Sequence, residues 1–306
     1  MKVLWMRRRS VVLLIAAATV LVAIVVLVTP KREPSYQGRT LSEWLLEAQT
    51  NLSVVDQFLA DLGQKPTDGY SPAAIQAVRE MGTQAVPELV GWIKRPVPLF
   101  QEELRAFRNL VPMPSGREAR GRYRADLAVL GFRLLGPRAS NAAPELTGLM
   151  KEQNVSQQTR EAAMASLAHL GPAGLQPLLD AFADPNQPSR RLAGYYIGSM
   201  RDLGTSGPVA VAGLVRLLKD EEEQIAGRAA TALGDLGLQP ALTIPALTNA
   251  MKDPRPFVRM SAVGALRAYR GQARAAIPAL TEALGDPKLQ VRAAATNALS
   301  EIEVQR

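Results

Sequence analysis

The sequence predicts an all-α fold, an α-α superhelix in which pairs of helices stack one on the next. The stretch Ala275–Leu299 reads as a helix opened by a proline, a Gly-Asp-Pro turn and an alanine-rich second helix. The same pattern occurs 33 residues earlier, over Leu242–Leu266. A period of that size is typical of helical repeat arrays. We therefore expect about six helix pairs and a final helix over residues 72–306, preceded by one transmembrane helix.

Composition limits the chemistry that the chain can perform. Hydrophobic residues make up 47% of the 306 residues and aromatic residues only 5%, so packing must depend largely on Ala, Leu and Val. The absence of cysteine excludes disulfides, thiolate metal sites and cysteine nucleophiles. The one histidine, His169, has chemically unrelated equivalents in the other repeats, and we expect it at a solvent-facing helix end. The sequence thus predicts a non-enzyme with no catalytic, cofactor-binding or metal-binding residue.

The N-terminal segment predicts a membrane anchor. Residues 11–28 are apolar except for Thr19, and 18 helical residues with their flanks reach across a hydrocarbon core of about 30 Å. The run is longer than the apolar region of a cleaved signal peptide, which is about 7–15 residues. We therefore assign residues 1–10 to a basic cytoplasmic tail and residues 11–29 to an uncleaved signal anchor. The basic tail favours a single-pass protein whose array lies in the periplasm.

A short segment connects this anchor to the repeats. Residues 30–38 are predicted to be a linker and residues 39–71 a leading helix followed by a turn. Thr40 and Glu43 have the spacing of a capping box, in which each side chain accepts from the other residue's backbone N–H. Trp44 recurs with Leu41 and Leu45 at helical spacing, so we interpret it as a packing residue.

The repeats align on a proline at the start of each second helix. Proline is favoured there because the first helical turn has N–H groups without intrahelical acceptors. Five of the first helices end in a hydrophobic residue followed by glycine, which is typical of a left-handed C-terminal cap, at Gly82, Gly136, Gly171, Gly204 and Gly237. The prolines are Pro87, Pro144, Pro177, Pro245 and Pro278, with Ala212 in the remaining copy, and their separations are 57, 33, 35, 33 and 33.

These features resemble the HEAT-repeat family, in particular its short bacterial form, which also occurs in phycobilisome lyases. The resemblance covers residues 72–306 and implies a right-handed α-solenoid. In that family a turn aspartate and an arginine about six residues later form a structural ladder between repeats. Here Asp253/Arg259 and Asp286/Arg292 match this spacing, Asp184/Arg190 matches it roughly, and Asp220 faces Ala226. HEAT-type iron hydroxylases bind metal through His-Glu pairs, which this sequence lacks.

The 57-residue separation indicates an insertion at about residues 94–123. It carries seven basic and three acidic side chains, a balance equal to the whole net charge of residues 31–306. Its interpretation stays open between a solvated loop and a docking surface for an acidic partner or anionic lipid; nucleic acid is disfavoured, because no aromatic-interleaved motif is present. The candidate binding residues are Lys94, Arg95, Arg105, Arg108, Arg117, Arg120 and Arg122.

A second candidate surface is a row of lysines seven residues after the repeat prolines. Lys94, Lys151, Lys219 and Lys252 occupy this place. Lysine is also favoured at a helix C-terminus by the helix dipole alone, by about 0.3–1 kcal/mol. The row is therefore either a basic strip for a partner or a set of capping charges.

The function that follows is a membrane-anchored, non-catalytic scaffold for protein–protein interaction. The partner would be a protein, an acidic one would complement the basic insertion, and the membrane would be contacted through residues 11–28. One alternative is a lyase or other modifying enzyme, by analogy with HEAT-like lyases, although a shared fold is weak support for a shared activity. The other alternative is a protein that binds anionic lipid or nucleic acid through the basic insertion.

Overall fold

The structure is a computed structural model that describes residues 33–50, 71–94, 117–201 and 203–303. The chain divides into two compact units, Met1–Pro34 and Ser35–Arg306. The first unit, apart from residues 33 and 34, lies outside the described residues. The second unit contains the helices of the array.

A small hairpin precedes the first helix. Strands β1 (Ser35–Tyr36) and β2 (Arg39–Thr40) pair antiparallel, with Ser35 opposite Thr40. Helix α1 (Leu41–Thr50) follows, and the predicted capping box forms: the Thr40 N–H donates to Glu43 Oε2 at 2.7 Å, and the Glu43 N–H donates to Thr40 Oγ1 at 3.4 Å. The buried Trp44 donates its indole N–H to the Tyr36 carbonyl at 3.1 Å. The hairpin is a departure from the all-α prediction.

Six helix pairs and a final helix follow in the described residues, as the repeat pattern predicts. The pairs are α2 (Pro72–Met81) with α3 (Val86–Lys94), α4 (Arg117–Leu135) with α5 (Ala143–Lys151), α6 (Gln157–His169) with α7 (Pro172–Ala183), α8 (Arg190–Ser199) with α9 (Gly207–Leu217), α10 (Glu223–Leu236) with α11 (Pro240–Ala250), and α12 (Pro256–Ala268) with α13 (Ile277–Ala283). The final helix is α14 (Leu289–Glu303). Short 3₁₀ segments join four of the pairs, at Gly82–Ala85, Gly136–Ala142, Gly204–Ser206 and Arg270–Ala276.

The first helices of successive pairs pack directly on one another, from α4 to α6 and onward to α14. Small residues permit this close approach: a Cβ built on Gly234 would lie 2.7 Å from the Ala265 Cα, and one on Gly227 would lie 2.4 Å from the Phe257 ring. The core is accordingly rich in alanine and leucine. A single helix pair leaves an apolar side uncovered, and the neighbouring pair covers it. Stacking of the pairs therefore stabilises the array.

All five predicted capping glycines have a positive φ, but not all are left-handed helical: Gly237 is, whereas Gly82 and Gly171 have ψ of −136° and −137°. Only glycine adopts this conformation at little cost. The five are Gly82, Gly136, Gly171, Gly204 and Gly237, with φ of 54°, 58°, 62°, 48° and 61°. In the sixth pair Arg270 takes the same place with φ of 47°.

The proline alignment holds in some repeats and fails in others. Pro87, Pro144 and Pro278 stand near the start of α3, α5 and α13, as predicted. Helices α7 and α11 instead begin several residues earlier, so Pro177 and Pro245 lie inside them. In α7 the buried side chains Leu178, Ala181 and Phe182 correspond to Leu146, Leu149 and Met150 of α5. Gln176, rather than Pro177, is therefore the structural equivalent of Pro144.

No helix in the described part of the chain is long and apolar enough to cross a membrane. This finding contradicts the localisation prediction of a single-pass membrane protein with a periplasmic array, and that prediction is not retained. The apolar run on which it rested, residues 11–28, lies outside the described residues.

Candidate protein-binding surface

The four lysines of the predicted row stand at the C-terminal ends of second helices. All four are exposed. Lys94 forms a salt bridge with Glu145 on the neighbouring α5, so its charge is partly neutralised within the protein. Lys151, Lys219 and Lys252 make no ion pair with any residue that the structure describes. In the third repeat the register shift puts Ala183 in the lysine's place.

The predicted basic insertion lies mostly beyond the described residues. Arg95, Arg105 and Arg108 belong to residues 95–116, which the structure does not describe. Arg117, Arg120 and Arg122 fall in the first two turns of α4, so this part of the predicted insertion is helical.

A groove runs between the second helices α7 and α9. It has a volume of about 460 Å³. Leu179 and Leu217 form its apolar floor, and Gly213 keeps the floor open because a Cβ there would lie 2.9 Å from Leu179 Cδ2. Asp180 and Arg216 provide one charge of each sign along its walls. Asp180 is held by a hydrogen bond of 2.7 Å from Gln176 Nε2.

Apolar side chains are exposed beside this groove. Val209, which lines it, is 50% exposed, and Leu242, its equivalent in the next repeat, is 47% exposed. Both stand near the start of a second helix. The two side chains therefore extend the apolar surface of the groove from α9 toward α11. Neither the groove nor the exposed pair was expected from the sequence, which reports helical spacing but not the gap between neighbouring helices.

The turns between repeats are joined by arginines. Arg259 donates from Nε and Nη2 to both carboxylate oxygens of Asp286, at 2.7 and 2.9 Å, and from Nη1 to the carbonyls of Asp253 and Pro254, at 2.9 and 3.0 Å. Arg292 donates to the carbonyls of Asp286 and Pro287, at 2.7 and 3.3 Å. The carboxylate thus comes from the following turn, 27 residues on, and the residue six positions back contributes its backbone carbonyl.

The same arrangement joins earlier turns. Arg190 donates to both carboxylate oxygens of Asp220 and, at 2.7 Å, to the Phe182 carbonyl. Asp220, for which the sequence offered only Ala226, therefore has an arginine partner from the preceding repeat. This pair is visible in the sequence only if partners are sought one repeat away.

Arg255 replaces the arginine that position 226 lacks. Its Nη1 donates to the carbonyls of Asp220 and Glu221, at 2.6 and 3.0 Å. These are the equivalents of the carbonyls that Arg259 and Arg292 cap in their own turns. Arg255 also donates from Nε and Nη2 to the two carboxylate oxygens of Asp253, at 2.8 Å each. An arginine of the following turn therefore caps the two carbonyls that position 226 leaves without an arginine.

These contacts shift the titration of the groups involved. Hydrogen bonds from Arg255 lower the pKa of Asp253, and hydrogen bonds from Arg259 lower the pKa of Asp286. The same bonds raise the pKa of each arginine. The charged form of every partner is thus favoured by folding.

The acidic run Glu221–Glu223 stands at the turn into α10. Glu223 Oε1 accepts from the Phe257 N–H at 2.9 Å, which caps the first turn of α12 from the preceding repeat. Glu222 lies 3.7 Å from Arg190 Nη1 and 3.9 Å from Arg191 Nε. Two of the three carboxylates therefore take part in contacts between repeats.

His169 departs from its predicted solvent-facing position. It ends α6 and is only partly exposed. Burial lowers its pKa to about 4, and the nearby charge of Arg133 acts in the same direction. The neutral imidazole is therefore the folded form at neutral pH. Within the described residues, no three His, Cys, Asp or Glu side chains cluster so as to hold a metal ion.

Comparison with known proteins agrees with this architecture. Residues 211–300 match the family model described as HEAT repeats. No curated protein matches the chain. Among solved structures, a designed armadillo repeat protein in complex with the peptide (KR)4 is 18% identical with a TM-score of 0.42, over 71% of this chain and 99% of that one.

Two further structures are similar to the chain over most of its length. The karyopherin Kap121p bound to the extreme C-terminus of the protein phosphatase Cdc14p is 13% identical with a TM-score of 0.47, over 86% of this chain and 29% of that one. Human deoxyhypusine hydroxylase is 17% identical with a TM-score of 0.37, over 87% and 97%. Identities and scores this low carry no argument about function. The family match and the stacked helix pairs support a HEAT-repeat solenoid.

Proposed function

We propose that this chain is a non-catalytic scaffold that binds a protein partner along its second helices. The observation that carries the proposal is the groove between α7 and α9, with an apolar floor and a half-exposed Val209 at its edge. Exposed apolar side chains next to a concave site are typical of surfaces that bind another protein. An apolar side chain of the partner would occupy the groove.

The charges around the groove would set the orientation of the partner. Asp180 and Arg216 face the groove from opposite helices, and both are exposed. Lys219 and Lys252 extend the positive side along the ends of α9 and α11. A partner segment with an acidic residue beside its apolar one fits this arrangement. Charge complementarity of this kind affects association rate and specificity more than affinity.

The arginine–aspartate ladder has a different role in this proposal. Asp253, Arg259, Asp286 and Arg292 are directed at neighbouring turns and carbonyls. Arg259 pairs with Asp286, Asp253 pairs with Arg255 of its own turn, and Arg292 donates to backbone carbonyls. These residues hold neighbouring repeats together, and the partner would bind the second helices instead.

A photo-crosslinking residue tests the location of the surface. Ala212 lines the groove and is exposed, whereas Ala268 is exposed at the end of the first helix α12. With p-benzoylphenylalanine in place of Ala212, we expect a discrete covalent adduct with the partner in the cells of origin. The same residue in place of Ala268 should give none. Equal adducts from both positions, or none from either, would contradict the proposal.

The partner so obtained allows an affinity test. Ala212→Trp fills the groove and should weaken binding by about tenfold or more, which corresponds to about 1.4 kcal/mol. Ala268→Trp is the matched control and should leave the affinity unchanged. Raising the salt from about 50 to 200 mM should change the affinity of an apolar groove little, whereas a polyanion that neutralises many basic side chains would lose several orders of magnitude.

A further inference from the structure

Two arginines of the array hold equivalent places but have different partners. Arg160 on α6 donates from Nε to the Met150 carbonyl at 3.2 Å, and Arg190 on α8 donates from Nε to the equivalent Phe182 carbonyl at 2.7 Å. Arg190 also holds the carboxylate of Asp220 from the next turn. Within the described residues, the other acceptor of Arg160 is a second carbonyl, that of Glu152 at 3.0 Å. The guanidinium of Arg160 therefore has no carboxylate among the described residues.

A pocket lies beside this guanidinium. It has a volume of about 260 Å³, between the N-terminal turns of α6 and α8. Arg160 and Ser189 line it, and each residue is more than nine-tenths buried, with relative exposures of 7%. Within the described part of the chain, no hydrogen bond is formed by Arg160 Nη1 or Ser189 Oγ, and neither atom is sealed from solvent. The full lining is Gln157, Arg160, Pro188, Ser189, Arg191 and Leu192.

The electrostatics of the pocket favour an anion. Ser189 is the N-cap of the ten-residue helix α8, but its side chain accepts no capping bond. The N-terminus of that helix carries partial positive charge, and Arg191, which lies 3.9 Å from Glu222, stands at the rim. The neighbouring carboxylates are engaged elsewhere: Glu161 accepts from Gln157 Nε2 at 2.7 Å, and Glu222 lies near Arg190 and Arg191.

We propose that this pocket binds a carboxylate group of a ligand, held by Arg160, Ser189 and the N-terminus of α8. In two other repeats an aspartate carboxylate of the chain itself meets the corresponding guanidinium, Asp220 on Arg190 and Asp286 on Arg259. The turn aspartate that follows Arg160 is Asp184, whose carboxylate accepts from the Asn186 N–H and forms no ion pair with Arg160, so the guanidinium is left without a carboxylate from the described part of the chain. The pocket is separate from the groove between α7 and α9, so the proposal does not depend on the partner proposed there.

Binding can be measured by thermal unfolding of the full chain in sodium acetate and in sodium chloride of the same ionic strength. A ligand that binds only the folded state raises the melting temperature. We expect acetate to raise it by about 2 °C more than chloride, a shift typical of a modest stabilisation in a chain of this size. The extra rise should vanish in Arg160→Gln and persist in Arg138→Gln, which removes an exposed arginine of the Gly136–Ala142 segment. An equal acetate effect in all three proteins, or none in the wild type, would overturn the proposal.

A carboxylate built into the pocket provides a second test. The melting temperature of Ser189→Asp should be about 2 °C above that of Ser189→Asn, whose side chain has the shape of aspartate without the charge. The reason is that the new carboxylate would pair with the Arg160 guanidinium. The difference between Asp and Asn should disappear in the Arg160→Gln background, and Ser189→Asp should no longer respond to acetate. If Asp and Asn at position 189 are equally stable, the pocket does not accept a carboxylate and the proposal is wrong.

A peptide distinguishes the source of the carboxylate. An acetylated, amidated tetraglutamate should stabilise the chain at far lower concentration than acetate if the pocket serves an acidic polypeptide. If acetate and the peptide act at similar carboxylate concentrations, the natural ligand is a free carboxylic acid. Either result requires that Arg160→Gln abolish the effect, and an effect that survives this substitution would contradict the site.

Discussion

The Arg259–Asp286 pair gives a sharp test of what joins the repeats. Arg259→Met keeps most of the aliphatic stem and removes the guanidinium, which makes two bonds to the Asp286 carboxylate and two to turn carbonyls. The side chains of the pair are only 13% and 9% exposed, so the aspartate would stay largely desolvated without its partner. Removing one partner of a buried pair costs about 3–5 kcal/mol, and the residual exposure favours the lower end, about 3 kcal/mol.

The same helix provides the control. Arg267 on α12 pairs with Glu301 at 3.2 Å, and these side chains are 52% and 48% exposed. An exposed pair contributes about 0–1 kcal/mol, so Arg267→Met should cost less than about 1 kcal/mol. Both substitutions remove one positive charge from one helix, and they differ mainly in burial.

Urea denaturation of the full chain measures the free energy of unfolding, and hydrogen exchange locates the loss. We expect faster exchange in α12 to α14 of Arg259→Met, because repeats contact only their neighbours. Asp286→Asn added to Arg259→Met should cost less than it does in the wild type, since the pair is already broken. If Arg259→Met and Arg267→Met cost the same within about 0.5 kcal/mol, the ladder does not stabilise the array and the reasoning fails.

Two further predictions concern packing and pH. Gly234→Ala puts a Cβ 2.7 Å from the Ala265 Cα and should lower the free energy of unfolding, measured in urea, by about 1–3 kcal/mol. Gly264→Ala is the control: nothing lies within 4 Å of its Cβ, so it should raise that free energy by up to about 1 kcal/mol. Equal effects of the two substitutions would contradict the close packing of α10 on α12. His169 has a folded pKa of about 4 against an ordinary value of 6.5, so the unfolded chain takes up its proton first, and stability present above pH 6.5 is lost as the pH falls toward 4. The loss amounts to at most about 3 kcal/mol, at about 1.4 kcal/mol per pKa unit. His169→Gln should therefore show a smaller fall in melting temperature between pH 7 and pH 4.5 than the wild type, and an unchanged fall would show that the imidazole is solvated.

The sequence predicted the architecture because the repeat period is local information. Each capping glycine and most of the helix boundaries follow from residues within a few positions, such as Leu236-Gly237. The proline register failed in α7 because the helix begins at Pro172 and carries Pro177 inside it, a choice decided by packing of Leu178 and Phe182 rather than by the proline. Local patterns are therefore reliable for the caps and less so for the exact face that a helix buries.

The surfaces could not be predicted in the same way because they depend on neighbouring repeats. The groove exists because Gly213 on α9 faces Leu179 on α7, two residues that no spacing rule within one repeat connects. The partner of Asp220 is likewise Arg190, 30 positions back, rather than a residue of its own turn.

Departures from the repeat are where this array acquires individual sites. Ala226 removes an arginine, and Arg255 from the next turn caps the same carbonyls, so that this departure is compensated within the fold. Arg160 retains the arginine but lacks the carboxylate, and within the described residues nothing compensates for it. A mismatch that the protein repairs is structural, whereas one that leaves a guanidinium without a carboxylate beside a pocket is open to a ligand. By this criterion the pocket at Arg160 and Ser189 differs in kind from the ladder around it.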